Sequence, residues 1–324
     1  MSDLWRALRR RIITPDVSET SLEVRGFHPK NEASKEILEN VGKSFLAGYA
    51  IAAEAKDQSV AGRRIDELPP RFRGFAFEGA AMAYAVIDGL SPWRRDNSPR
   101  FLIGPGDPHV YMAYVGIGWA MARVPRFRWS RLTLPDPLLR WLALDGYGFH
   151  QAYFRTDRYV YGRYRDPSFT WHGGGPQSYV PRAVDQGIGR AMWFVYGTDP
   201  VRVADAIDGF EPERHQDLYS GAGLAATYAG GVDEEELRTF WNRAGEHQPF
   251  VAQASAFAAE ARIRAGLLVP HTELATRVFC GMPAVAAASL TVQRRPEGPD
   301  GDQLPAYELW RQQVAQEFAA IGRK

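Results

Sequence analysis

Large apolar residues recur along this chain at helical rather than strand intervals. Phe75, Gly79, Met82, Ala83, Val86 and Ile87 fall at i, i+4, i+7, i+8, i+11 and i+12, a single stripe of an amphipathic helix. Asp185, Gly189, Met192 and Trp193 repeat the start of that pattern, as do Asp145, Gly148, Phe149 and Ala152. Terminators separate these segments: "DGLSPWRRDNSP", "YGTDPV" and "AGGVDEEEL", the last placing Asp233 as an N-cap with Glu236 three residues on. Alternating strand patterns are scarce. The pattern predicts an all-α protein of antiparallel helical hairpins, curved into a short right-handed α-superhelix.

Glycines punctuate the apolar helices. "LALDGYGFHQAYF" (142–154) carries Gly146 and Gly148, "VDQGIGRAMWFVYG" carries Gly187 and Gly189, and "LYSGAGLAATYAGG" carries Gly221 and Gly223. The step from 187 to 221 is 34 residues, a further 34 reaches Ser255, and 34 back from Gly79 reaches Phe45. A forward step from 79 lands at Ala113, and the interval of 41 from 146 to 187 implies an inserted piece of about seven residues at "TWHGGGPQS" (170–178). A period near 34 is that of a helix–turn–helix repeat of the tetratricopeptide type, without its consensus residues. Each helical glycine costs roughly 1 kcal/mol relative to alanine, so close backbone packing must offset it.

The organisation expected is one helical domain over 1–293, a linker over 294–305 and a C-terminal amphipathic helix over 306–322. Within the domain lie a basic N-terminal helix (3–13) and a Gly- and aromatic-rich insertion (155–180), a candidate lid. On the N-terminal helix, Trp5, Leu8 and Ile12 share a face amid Arg6, Arg9, Arg10 and Arg11. It is expected to pack that face on the body and leave its basic side solvated; a membrane-surface helix is the other reading.

Across 324 residues the formal net charge is +1, which gives no electrostatic footprint for nucleic acid. A single cysteine, Cys280, excludes an internal disulfide framework and any multi-cysteine metal site. No secretory signal and no apolar run long enough for a membrane span is evident, and a cytoplasmic protein is expected.

Chemistry concentrates in the acids on apolar helix faces: Glu78, Asp145 and Asp185. Buried carboxylates require partners or raised pKa values. They either join arginines in a structural network or converge on one cavity as proton donors and acceptors, with His150 beside them. His109, Tyr111, Phe149, Trp171, His172, Arg190 and Trp193 are the candidate substrate contacts. The histidines show no metal-ligand spacing, so no metal site is assigned, and no cofactor motif is present. "HGGGP" (172–176) lacks the G-x-S-x-G elbow that a serine hydrolase would need.

Four stretches, "RRIITPDVSETSLEVRGF", "FRGFAFEGAAMAYAVIDGL", "PHVYMAYVGIGWAMARVP" and "DPLLRWLALDGYGFHQAYF", resemble one bacterial family. It is domain of unknown function 1702, found in the conserved cassette of enediyne antibiotic gene clusters. The resemblance implies a role in maturing a polyene made by an iterative polyketide synthase, and carries over no catalytic residue. The expected ligand is thus a hydrophobic polyene. The alternative is a non-catalytic helical scaffold that holds the synthase or other pathway proteins, or shields an intermediate.

Overall fold

The structure, a computed structural model, describes residues 3–321. Sixteen α-helices make it up, with no strand among the described residues: α1 (Asp3–Ile13), α2 (Leu22–Arg25), α3 (Glu32–Glu54), α4 (Gln58–Asp66), α5 (Pro70–Leu90), α6 (Asn97–Leu102), α7 (Val110–Met121) and α8 (Trp141–Phe154), followed by α9 (Val180–Val195), α10 (Pro200–Asp208), α11 (Pro212–Ala229), α12 (Glu234–Ala244), α13 (Gln248–Arg264), α14 (Pro270–Phe279), α15 (Ala284–Gln293) and α16 (Ala306–Ile321). The fold is all-α. Helix starts follow their caps: Asn31 and Ser34 form a capping box on α3, and Asp233 and Glu236 form the one expected on α12.

Seven helices form a continuous inner row in the order α3, α5, α7, α8, α9, α11, α13, each packed on the next. Glycines set their spacing. A Cβ at Gly187 would stand 1.8 Å from the Asp145 carbonyl oxygen, and one at Gly148 would stand 2.1 Å from that of Val184, so α8 and α9 touch backbone to backbone. The same holds at Gly48 and Gly79 between α3 and α5, and at Gly118 and Gly146 between α7 and α8. Rising numbers on one helix meet falling numbers on its neighbour, so these partners run antiparallel. In each Gly-x-Gly pair the first glycine meets the preceding inner helix and the second meets the following one: Gly116 and Gly118, Gly146 and Gly148, Gly187 and Gly189, Gly221 and Gly223. Two positions on a helix are about 200° apart, which places them on opposite sides. From Gly79 onward the first glycines are spaced by 37, 30, 41 and 34 residues, so the α7 member is Gly116 rather than position 113. Connectors of unequal length absorb the difference.

The 155–180 insertion joins α8 to α9. It is tied down by Gln177, which donates to the Trp171 carbonyl oxygen and accepts from the Trp171 N–H, and by Arg140, which donates to the Gly173 carbonyl oxygen. At the C-terminus, α16 is buried against α13 rather than lying on the surface. Its Arg311 bonds Asp217 of α11 at 2.8 Å and Glu308 at 2.6 Å. Arg182 of α9 bonds the same two acids at 2.7 and 2.8 Å, and the Tyr179 hydroxyl donates to Glu308. Two guanidiniums thus match two carboxylates inside the protein.

The N-terminal helix reverses its expected orientation. Arg9 donates to the Ala53 carbonyl oxygen at 2.7 Å and Arg10 pairs with Glu54 at 3.0 Å, while Leu4, Trp5, Leu8 and Ile12 face solvent. The last carbonyls of α3 have no partners within their own helix and form its negative end. The Arg9 guanidinium satisfies one of them, whereas an apolar stripe could not.

Gly187→Ala gains about 1 kcal/mol of helix propensity but forces α8 and α9 apart, for an expected net loss of about 2 kcal/mol or more. Gly298→Ala, in open space, should leave the denaturation midpoint unchanged. Equal midpoints for the two variants in urea would show that the crossing is not limiting.

Candidate functional site

Relative to the first glycine of an inner helix, positions −4, −1, +3 and +7 fall within about 80° of one another, on one side of the line that joins the two glycine contacts. At +3 stand Met82, Trp119, Phe149, Arg190 and Leu224, and every one of them lines an internal cavity. At +7 on the last three helices stand Tyr153, Phe194 and Tyr228, which also line these cavities. At −4, Phe75, Met112 and Leu142 do the same. Position −1 supplies Glu78 and Asp145.

The cavities form a row of three. The first, of about 60 Å³, lies between Phe45, Phe75, Met82, Trp119 and Phe149, with Glu78 in its wall. The second, of about 20 Å³, shares Phe75, Glu78 and Phe149 with the first and adds Arg190 and Tyr228. The third, of about 30 Å³, shares Arg190 and Tyr228 and is closed by Tyr111, Tyr307 and Trp310. Apart from the Glu78, Arg190 and Tyr228 groups, their shared walls are almost wholly apolar.

Those polar groups, with Asp145, form one electrostatic cluster drawn from α5, α8, α9 and α11. Arg190 Nη2 donates to Asp145 Oδ2 at 2.9 Å. Glu78 Oε1, Asp145 Oδ1, Arg190 Nε and the Tyr228 hydroxyl are buried without a hydrogen-bond partner. Such orphaned atoms are costly in a folded protein and mark places where a ligand group would be welcome. One guanidinium serves two carboxyls, and Asp145 holds the direct bond. Burial therefore pushes Glu78 up to about 8, with Arg190 opposing and the Asp145 charge adding to the rise. Burial also raises Asp145, against the pull of Arg190. At neutral pH Glu78 is mostly a protonated acid in an apolar wall.

The other expected site residues are dispersed. Asp185 is gripped by Arg214 at 2.7 Å and Arg165 at 2.6 Å, and it lines a separate cavity of about 360 Å³ beneath the insertion, beside Tyr147, Tyr164 and Phe169. His150 stands edge-on to Trp119 and accepts from Arg123 Nε at 3.0 Å; burial and Arg123 hold it neutral. His109 stacks on Phe77, with burial lowering it to about 4. Trp171 donates to the Gly174 carbonyl oxygen within the insertion, and His172 beside it is exposed. Trp193 donates to the Gly230 carbonyl oxygen and packs on Phe240. The structure thus joins Glu78, Asp145, Arg190, Phe149 and Tyr111, and leaves Asp185, His150, His109, Trp171, His172 and Trp193 elsewhere. Tyr228, Tyr307 and Phe194 are among the members that sequence reasoning missed, with Phe75, Met82, Trp119 and Trp310. For Tyr228 and Phe194 the glycine register was the available signal. Among the described residues no cluster of His, Cys, Asp or Glu could hold a metal ion.

An all-α protein with a partly charged cluster in an apolar internal row is the class that fold and site define. The chain belongs to the family described as protein of unknown function (DUF1702), whose model matches residues 4–318. No curated protein and no solved structure matches it.

The raised Glu78 fixes a pH dependence. The folded state keeps a proton that the unfolded state releases near 4.5, so the stability associated with it is complete below that pH and lost as pH rises toward 8. Between those values wild type should lose about 1.4 kcal/mol per pH unit relative to Glu78→Gln. Parallel urea-denaturation curves for the two proteins from pH 5 to 8 would refute the buried neutral acid.

Proposed function

We propose that the chain binds an extended, unsaturated hydrocarbon intermediate of enediyne polyketide biosynthesis along the inner row, and that Glu78 transfers protons to and from it. The observation that supports this reading is a protonated carboxyl in the wall of a mostly aromatic and aliphatic cavity. Conjugated chains bind to π-faces and apolar walls without needing polar partners. The three open volumes admit only a few carbons as they stand, so entry requires rotation of the shared walls Phe75 and Phe149. The resemblance to the enediyne-cassette family supplies the polyene.

The chemistry available without an oxidant is a proton shift. Glu78 gives its proton to one end of a conjugated double bond, leaving a carbocation in the aromatic cavity. Its carboxylate, steadied by Arg190, then removes a proton from a neighbouring carbon. The double bond moves, the acid is regenerated and no electrons are gained or lost. Arg190 and Asp145 serve as positioning and charge-balancing groups.

A second reading is a holder that shields a reactive intermediate or docks it to the synthase, without turnover. The Asp145–Arg190 pair favours it, because a structural ion pair already accounts for the cluster's full charges.

Parinaric acid, a fluorescent conjugated tetraene, probes the cavity. Wild type and Glu78→Gln should both enhance its emission, and Leu46→Trp, in the wall of the first cavity, should weaken binding about tenfold. In a producing strain lacking the native gene, Glu78→Gln at normal protein level should abolish product. Normal yield would discard proton transfer and leave the holder; no tetraene binding by wild type would discard both.

A further inference from the structure

We propose that α1 docks the protein on an anionic lipid bilayer. Leu4, Trp5, Leu8 and Ile12 fall within about 100° of the helix circumference and all face solvent, Leu4 at 83% and Ile12 at 68% exposure. Large apolar side chains gathered in one outward stripe are uncommon on a protein surface without a partner. The stripe is held rigidly in that position, because Arg9 and Arg10 fasten the opposite side of the helix to the end of α3.

The charge around the stripe selects the partner. Arg11 is exposed at its edge, on a chain whose total formal charge is only +1. The loop after α5 adds a second apolar anchor and more positive charge: Trp93 is 73% exposed, beside Arg94 and Arg95. Arg95 lies within electrostatic reach of Arg9, so the two pieces adjoin. The acids nearby are Glu54, already paired with Arg10, Asp96, paired with Arg100, and Asp16, whose carboxylate caps the turn after α1 by accepting from the Ser18 N–H. Tryptophans at the water–lipid boundary with arginines reaching the headgroups are the chemistry of an interfacial helix. Two exposed tryptophans, Trp5 and Trp93, with arginines beside them suit the headgroup boundary of an anionic bilayer better than a purely apolar protein groove.

The docked face adjoins the inner row. A groove beside α1, of about 510 Å³, is lined by Arg10, Arg11, Thr14, Pro15 and Glu54, and Pro15 also lines the first internal cavity. Bilayer docking would therefore set the wall of that cavity near the lipid surface. The docking stands apart from the ligand chemistry proposed above, and its assay contains no ligand.

The test is sedimentation of the full chain with vesicles of phosphatidylcholine alone or mixed with phosphatidylglycerol, at physiological salt. Wild type should partition at least about tenfold more strongly to the anionic vesicles. Leu8→Ser combined with Ile12→Ser should lower that binding about tenfold, and Arg11→Gln with Arg94→Gln should erase the preference for anionic lipid. Matching thermal midpoints establish that the variants remain folded. Equal partitioning of wild type and the Leu8/Ile12 variant would overturn the proposal. So would a wild-type dimer, seen by light scattering, that the same variant dissolves while neither protein binds vesicles.

Discussion

Backbone contact between helices at glycine governs this protein. Across nine inner-helix glycines, an added Cβ would lie 1.8–2.1 Å from a carbonyl oxygen of the neighbouring helix. No side chain fits between helices so close. Because the two glycines of a pair face opposite ways, each helix is clasped on both sides, and its large residues are confined to the two remaining faces. One of those faces recurs along the row at −4, −1, +3 and +7, and it builds the cavities. The site is thus a consequence of the packing rule, with no loop or inserted element required to form it.

Charge counting distinguishes the buried clusters. Asp217 and Glu308 face Arg182 and Arg311, two against two, and Asp185 has two guanidiniums for one carboxylate. In both networks every carboxylate bonds at least one guanidinium directly, and removing that partner would strand a buried charge at a cost of about 3–5 kcal/mol. The cluster at Glu78 is different, with one guanidinium between two carboxyls. Burial leaves the deficit to be met by a proton, so the acid shared by the first two cavities of the row is also the one that stays neutral. The same low-dielectric interior that strengthens the paired clusters keeps Glu78 protonated.

Much of the site was legible in the sequence, and its gaps have physical reasons. Periodicity identified the helices, and the acids beside Gly79 and Gly146 were already suspect because carboxylates do not sit on apolar stripes without cause. Asp185 occupies a different place because it lies two residues before Gly187, where Glu78 and Asp145 lie one residue before theirs. A shift of one residue rotates a side chain by about 100° and takes it to another face. A fixed 34-residue step missed Gly116 because helix contacts constrain the helices and leave connector length free. Tyr307 was not legible at all: α16 reaches the third cavity through packing on α13 and the buried ion cluster, whose members lie up to 132 residues apart. For α1, amphipathicity told which residues share a face but not which face meets the body.

That last ambiguity was resolved by helix ends rather than by hydrophobicity. The terminal carbonyls of α3 demand donors, and Arg9 supplies one by a bond that no leucine could replace. A polar requirement at one helix terminus therefore outweighed the burial of four apolar side chains on another. The two features meet on the same element. Phe45 and Gly48 of α3 pack on α5 beside Glu78, and Phe45 walls the first cavity, while the far end of α3 carries α1. A force on α1 reaches α3 through two guanidinium bonds and reaches α5 through a crossing with no compressible side chain in it. If the inner row opens to admit a ligand, rotation of Phe75 and Phe149 within a fixed backbone frame is the cheap route, and separation of the helices is the expensive one. The glycine crossings thus determine which parts of the site move and which stay still.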